Sequence, residues 1–61
     1  MKITEKIRFL RECHEYSQEY VSIQLGISQS TYSKIENNVI KIHLEVLTKI
    51  AKLYGINVIS I

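Results

Sequence analysis

The chain has 61 residues, with eight basic and six acidic side chains, and apolar residues make up 46% of it. This length allows one small domain that buries only about 60% of the surface exposed by its unfolded chain, and the apolar content excludes a disordered chain. A formal net charge of +2 is compatible with nucleic acid but is too weak to argue for it. The sequence has no proline and only two glycines, Gly26 and Gly55, which favours helices that end at defined points.

The compartment is suggested by the cysteine content and by the absence of long apolar runs. Cys13 is the only cysteine, so no disulfide can form within the chain, as is usual in a reducing cytosol. The first residues lack the apolar core of a secretion signal, and no apolar run is long enough to span a membrane. We therefore expect a cytoplasmic protein with no membrane partner, formed by a single domain over residues 1–61.

The first predicted helix spans residues 3–14, and residues 15–16 connect it to the second, over 17–25. Apolar residues recur in the first helix at helical spacing, while charged side chains occupy most of its other faces. Ser17 is a suitable N-cap for the second helix, and Gly26 is suited to end it in the left-handed conformation. The positions expected to face inward are Ile3, Ile7, Leu10, Val21, Ser22 and Leu25.

The third predicted helix spans residues 28–37 and follows the second after only two residues. Ser28 serves as its N-cap, and the asparagines at 37 and 38 tolerate the conformation that ends a helix. A fourth helix is predicted over 44–54. The positions expected to face inward in these two helices are Tyr32, Ile35, Leu44, Leu47, Ile50, Ala51 and Tyr54.

The last residues, 57–61, are short and apolar, and two interpretations remain open. They form either the first turn of a fifth helix capped by Asn57 or a strand, because isoleucine and valine favour extended structure.

The most informative unit is the helix pair over residues 17–37. A connection this short holds the second of the two helices across the first at a steep angle. The outer face of helix 28–37 is rich in amides and hydroxyls, which core packing alone does not require. Such side chains can hydrogen-bond to the edges of bases in the major groove of DNA.

Three runs of residues in this region resemble a known family: LR at 10–11, YSQE at 16–19 and LGISQSTYSKIEN at 25–37. They resemble the Cro and phage-repressor (XRE-like) helix-turn-helix proteins, and the run from 44 to 55 is similar to that family's fourth helix. The resemblance implies an all-α bundle of four to five short helices of the lambda-repressor-like type. It also implies a bacterial or phage transcriptional regulator that binds double-stranded DNA, with repression as the default role.

Carried over position by position, the resemblance assigns three groups of residues. The positions that face the bases are Gln29, Ser30, Ser33 and Lys34. The positions that contact phosphates are Gln18, Thr31, Asn37 and Lys41. A structural ion pair that joins the first and third helices is formed by Arg11 and Glu36.

This sequence also departs from the family's pattern at several positions. Glu15 stands where the family commonly has a glycine or a similar turn residue, so we expect the first corner to be either strained or longer. Ile42 replaces a common proline, which predicts a less rigid loop. Isoleucine occurs at three further positions where polar residues are more usual, namely Ile23, Ile40 and Ile59.

No motif in the chain predicts catalysis, a metal site or a cofactor. Cys13 and His14 are neighbours on a helix and point about 100° apart, so they do not face each other as a catalytic pair does. A zinc site needs about four ligands, and His43 is far along the chain. We expect a half-buried cysteine beside a surface histidine. The six glutamates are scattered rather than paired in a cleft, so we expect neither an enzyme nor a small-molecule site.

Aromatic and apolar side chains are two further types of residue that can form binding surfaces. The four tyrosines are spread along the chain rather than grouped on one helix, so we expect them to pack in or beside the core rather than to stack on single-stranded nucleic acid. Apolar residues concentrate near the C-terminus, and such patches mark interfaces. We therefore expect a homodimer through this region, reading a palindromic operator. The residues concerned are Val46, Leu53, Ile56, Val58, Ile59 and Ile61.

An alternative interpretation keeps the fold and changes the partner. In this interpretation, the chain is a protein-interaction module with the helix-turn-helix fold, either antitoxin-like or binding another subunit. The small net charge and the apolar C-terminal residues favour this alternative.

Overall fold

The computed structural model describes residues 2–61, which form four α-helices and one short 3-10 turn. The described residues contain no strand, so the predicted all-α helical bundle is confirmed. Met1, the first residue of the predicted domain, lies outside the described residues. The helices are α1 (Ile3–Cys13), α2 (Gln18–Leu25), α3 (Gln29–Glu36) and α4 (Leu44–Tyr54), and the 3-10 turn is Val58–Ser60.

Serine side chains begin α2 and α3, as the sequence predicts. The Ser17 hydroxyl accepts a hydrogen bond of 3.0 Å from the backbone N–H of Tyr20. The Ser28 hydroxyl accepts one of 3.1 Å from the N–H of Thr31. Each bond satisfies one of the backbone donors that a helix leaves unpaired in its first turn.

The turn between α2 and α3 depends on a left-handed glycine. Gly26 has φ +72°, a conformation that costs a residue with a side chain about 1–2 kcal/mol. The next N–H, that of Ile27, donates to the carbonyl of Ser22 at 3.0 Å and so closes the end of α2. This closure lets α3 start after only three residues, packed against α2.

All four helices contribute to one hydrophobic core. Its five fully buried residues are Ile7 from α1, Val21 and Leu25 from α2, Tyr32 from α3 and Ile50 from α4. Because each helix is short, it gains most of its stability from burying this apolar stripe against the others rather than from its intrinsic propensity.

The predicted inner stripe of α4 is wrong at its first position. Leu44 is 70% exposed, whereas Val46 packs against the core. The helical repeat explains the difference. Successive residues are turned by about 100°, so Leu44 lies about 120° around the helix from the buried Ile50, and Val46 only about 40°.

Two corners contain residues other than glycine in the left-handed region. Glu15 follows α1 with φ +56°, so the strain expected at this corner is present. Asn38 follows α3 with φ +59°, which asparagine tolerates better than most residues. Cys13, expected to be half-buried, is exposed at the end of α1.

The C-terminal residues form a 3-10 turn, and Asn57 makes no side-chain capping bond to it. The apolar patch predicted here is smaller in the structure, because three of its six members pack against the core; these are Val46, Leu53 and Ile61. Ile59 remains 97% exposed. No helix within residues 2–61 is long and apolar enough to cross a membrane.

Candidate nucleic-acid interface

The outer face of α3 is polar and open to solvent. Tyr32 and Ile35 are buried on its inner face, and this orients the remaining side chains outward. Gln29, Ser30 and Lys34 are exposed, and their side chains form no hydrogen bond with other described residues. Their amide, hydroxyl and ammonium groups are therefore available to an external partner.

Two further hydroxyls on α3 are half-buried and bonded within the protein. Ser33 Oγ accepts a hydrogen bond of 3.3 Å from Asn37 Nδ2. Thr31 Oγ1 accepts one of 2.8 Å from Ser28 Oγ. Because both hydroxyls act as acceptors in these bonds, each retains its own hydrogen to donate to a base or a phosphate.

Gln18, the first residue of α2, contacts a buried carboxylate. Its Nε2 atom donates a hydrogen bond of 3.2 Å to Glu36 Oε1. The amide nitrogen carries two hydrogens, so one remains for a further acceptor. The assignment of Gln18 to a DNA phosphate stays a prediction. This geometry is compatible with it, because the same nitrogen can donate to both partners.

The loop after α3 offers little positive charge. Residues 37–43 contain a single lysine or arginine, Lys41, which is exposed. Val39, two positions before it, is 67% exposed, and Ile40 is exposed as well. A hydrogen bond joins the backbone of the loop to the last turn of α3: the N–H of Val39 donates to the carbonyl of Lys34 at 2.8 Å. The loop therefore places apolar side chains close to the C-terminal end of α3.

Arg11 and Glu36 form the closest ion pair among the described residues. Arg11 Nε lies 2.6 Å from Glu36 Oε2, and Arg11 Nη2 lies 3.1 Å from Oε1. Arg11 Nη1 also donates to the carbonyl of Tyr16 at 3.0 Å. The Glu36 side chain is fully buried. This pair therefore fixes α3 against α1 and against the corner that precedes α2.

The charges of this pair are stabilised by the contacts between them. Burial by itself raises the pKa of the Glu36 carboxyl, but its polar contacts, with the hydrogen bond from Arg11 foremost, outweigh burial and hold that pKa below its ordinary value. The hydrogen bond to Glu36 raises the pKa of Arg11. Both groups are therefore ionised at neutral pH.

Arg8 belongs to the same region, although neither the sequence pattern nor the family resemblance assigns it a role. Its Nη2 atom donates to Asn37 Oδ1 at 2.9 Å and to the Glu36 carbonyl at 3.4 Å. Its Nε atom lies 3.5 Å from Glu36 Oε1. The spacing between Arg8 and Arg11 could have indicated this, because residues three apart on a helix lie on the same face.

An aromatic cluster lies where α1, α2 and α4 meet. Three of the four tyrosines join one histidine there, with ring centroids 4.6–6.1 Å apart; the members are His14, Tyr16, Tyr20 and Tyr54. The expectation of packing beside the core agrees with this cluster, but the sequence did not indicate that the rings would meet. The part of the chain that the structure describes holds no group of three or more residues suited to bind a metal ion.

Two buried tyrosine hydroxyls, those of Tyr32 and Tyr54, have no hydrogen-bond partner among the described residues. Burial raises the pKa of Tyr54 to about 12. Burial, with the nearby carboxylate of Glu36, also raises the pKa of Tyr32. Both rings therefore remain neutral under physiological conditions.

Comparison with known proteins gives one family. A model of the helix-turn-helix family matches residues 7–60, which covers α2, α3, α4 and most of α1. No curated protein and no solved structure matches the chain. The family binds DNA, and the match includes every residue of the polar face of α3.

Proposed function

Because the chain belongs to the helix-turn-helix family of the XRE and lambda-repressor-like type, whose members bind DNA as transcription regulators, we propose that it is a sequence-specific repressor. In this proposal, α3 enters the major groove of double-stranded DNA. The observation that carries the proposal is the free polar face of α3, on which Gln29, Ser30 and Lys34 have no partner within the described protein. A helix of this width fits the major groove, where each base pair presents a distinct pattern of donors and acceptors.

The side chains of this face suit different bases. The Gln29 amide can donate to and accept from adenine, and the Lys34 ammonium can donate to guanine. The hydroxyls of Ser30 and Ser33 can serve as either donor or acceptor. We assign these four residues to base reading.

The phosphates on either side are assigned to residues at the edges of the helix pair. The N-terminus of α2 adds free N–H groups and a positive dipole end beside Gln18. The proposed phosphate contacts are Gln18, Thr31, Asn37 and Lys41. Binding of this kind over a promoter blocks access of the polymerase, which is why repression is the proposed role.

We further propose a homodimer formed by the C-terminal region. Ile59 is 97% exposed, and a cleft of about 260 Å³ lies between α1 and the C-terminal residues. The cleft is lined by Lys6, Phe9, Leu10, Ile56 and Ser60. A projecting side chain beside a cleft suits a two-fold interface, in which each subunit inserts Ile59 into the other. Such a dimer reads two half-sites about 34 Å apart.

The first experiment is selection of binding sites from a pool of random duplexes, followed by titration of the selected duplex at several salt concentrations. We expect a palindromic site, and an affinity whose logarithm falls linearly with the logarithm of salt concentration. Enrichment of no sequence, with weak binding to all duplexes, would contradict sequence-specific recognition.

The dimer is tested separately by sedimentation at micromolar concentration. We expect wild type to sediment as a dimer and Ile59→Ser to sediment as a monomer. Ile23→Ser, which changes an exposed isoleucine on α2, is the matched control and should remain dimeric. A monomeric wild type would refute the dimer.

One observation favours a second candidate function, a protein-interaction module of antitoxin-like or subunit-binding type. Three aliphatic side chains away from the C-terminus are more than half exposed, namely Ile23, Val39 and Leu44. The two functions differ in their response to Lys34→Glu. A DNA reader loses affinity sharply, whereas Lys52→Glu on α4, with the same change in net charge, has a small effect. A protein that tolerates both substitutions equally is better explained as an interaction module.

A further inference from the structure

We propose that Arg8 and Asn37 together bind one backbone phosphate of DNA at the C-terminal end of α3. This inference rests on the proposed DNA-binding function and adds to it a cationic residue from α1, outside the helix pair. The ligand is a phosphodiester, which an arginine and an amide can both recognise through N–H donors.

The hydrogen-bond inventory of the two side chains leaves donors for this ligand. Arg8 uses Nη2 for Asn37 Oδ1 and for the Glu36 carbonyl. Its Nη1 group, with two N–H donors, has no partner among the described residues. Asn37 Nδ2 donates one hydrogen to Ser33 Oγ and retains the other. A phosphate beside the Arg8–Asn37 bond can therefore accept from both residues.

The charges at this end of α3 do not cancel. Two guanidinium groups, those of Arg8 and Arg11, face the single carboxylate of Glu36. The three groups together carry one surplus positive charge, and Glu12, whose charge also acts on Arg11, forms no ion pair with either arginine. The side chain of Arg11 is 15% exposed and that of Arg8 is 45% exposed, so the surplus charge reaches solvent mainly through Arg8.

The neighbouring loop supplies only one positively charged side chain of lysine or arginine. Val39 and Ile40 are apolar and exposed, and Lys41 is the only lysine or arginine in residues 37–43. Of the other cations within residues 2–61, Arg8 is the one held by a hydrogen bond against a proposed phosphate-binding residue. The phosphate contact on this flank is therefore shared between α1 and the loop.

Arg8 also positions the amide with which it shares the phosphate. Because Arg8 donates to Asn37 Oδ1, the oxygen of the amide faces α1. The amide nitrogen, Nδ2, is then directed toward Ser33. The hydrogen-bonded series Arg8, Asn37 and Ser33 thus connects α1 to a residue proposed to read bases.

The test is Arg8→Ala in the full chain, titrated from about 50 to 200 mM salt against the selected duplex and an unrelated duplex of equal length. We expect the slope of log affinity against log salt concentration to become shallower by about 0.9, the value for one phosphate contact. Between about 50 and 200 mM salt, the factor by which affinity decreases should therefore be about 3-fold smaller for Arg8→Ala than for wild type. Affinity for both duplexes should fall by the same factor, because a phosphate contact carries no sequence information. Lys52→Ala on α4 is the matched loss of one charge and should keep the wild-type slope.

Two further variants separate binding from folding. Arg8→Lys keeps the charge, so we expect the wild-type slope with a lower affinity. Asn37→Asp gives Arg8 an ionic partner within the protein, so the dependence of affinity on salt concentration should become shallower. The helix content and melting temperature should remain close to those of wild type. This variant decides the matter if Arg8→Ala does not fold.

The outcomes distinguish this inference from the proposed function. Folded Arg8→Ala and Asn37→Asp proteins that keep the wild-type slope would overturn the phosphate site and leave DNA recognition intact. Failure of the wild-type protein to bind any duplex would overturn both.

Discussion

Arg11 and Glu36 lie 25 residues apart in the sequence, and two hydrogen bonds of 2.6 and 3.1 Å join their side chains. The Glu36 carboxylate is fully buried, so it depends on the protein for the interactions that water supplies in the unfolded chain. The same carboxylate also accepts from Gln18 at the start of α2. One buried charge therefore fixes the relative positions of three helices.

Arg11→Met removes this partner and retains much of the apolar volume of the side chain. We expect the free energy of unfolding to fall by about 3–5 kcal/mol, because a buried carboxylate loses its main counter-ion. Urea denaturation monitored by circular dichroism measures the change. Lys52→Met, at an exposed position of α4, should change stability by less than about 0.5 kcal/mol. A similarly small effect of Arg11→Met would contradict the structural role of the pair.

Acid should weaken the fold through Glu36. The pKa of this carboxyl is lowered below its ordinary value of 4.5 in the folded protein. The resulting stabilisation is therefore complete above that ordinary value and is lost as the pH falls through the folded-state pKa. We expect the free energy of unfolding to decrease as the pH falls below about 4.5, with a smaller decrease in Glu36→Gln. Equal pH dependence of the two proteins would assign the effect to other groups.

The raised pKa of Tyr54 should make the protein less stable at high pH. Burial raises this pKa from 10.0 to about 12, so the folded state disfavours the tyrosinate. The corresponding stabilisation is complete below pH 10 and is lost as the pH rises through the folded-state value. Titration of absorbance at 295 nm should show a group that ionises near pH 12 and is missing in Tyr54→Phe. If the absorbance change lost in Tyr54→Phe instead lies near pH 10, the phenol is not buried in solution.

One substitution at the corner after α1 should increase the stability of the protein. Glu15 has φ +56°, so Glu15→Gly relieves backbone strain and should stabilise the protein by about 0.5–1 kcal/mol after the entropic cost of glycine. The measurement is the thermal midpoint. Glu12→Gly, within α1, should instead destabilise by about 1 kcal/mol. A loss of stability in both variants would show that the left-handed backbone at Glu15 is not strained.

Base reading by α3 predicts a change in specificity rather than in overall affinity. Gln29→Ala should weaken preference at one base pair by about 1–3 kcal/mol, with little effect at the others. The measurement is affinity for a set of single-base variants of the selected duplex. Gln24→Ala, at an exposed position on α2, is the control and should retain the full preference. An unchanged preferred site in Gln29→Ala would remove this residue from the reading surface.

Features that depend on a few neighbouring residues could be predicted from the sequence. The capping roles of Ser17 and Ser28 and the left-handed turn at Gly26 are confirmed. Each depends on hydrogen bonds that span five residues or fewer, so the local sequence contains the whole interaction. The polar outer face of α3 was also predictable, because Tyr32 and Ile35 fix which side of that helix is buried.

Apart from the ion pair of Arg11 and Glu36, which the family resemblance implied, contacts between distant residues required the tertiary structure. The bond between Arg8 and Asn37 spans 29 residues, and the rings of His14 and Tyr54 meet from opposite ends of the chain. The exposure of Leu44 likewise depends on which side of α4 faces the other helices. By itself the sequence determined where the helices begin and which residues their surfaces present, because these follow from local hydrogen bonds and the helical repeat. The tertiary structure alone decided which of those surfaces meet, because that depends on how all four helices pack around one core.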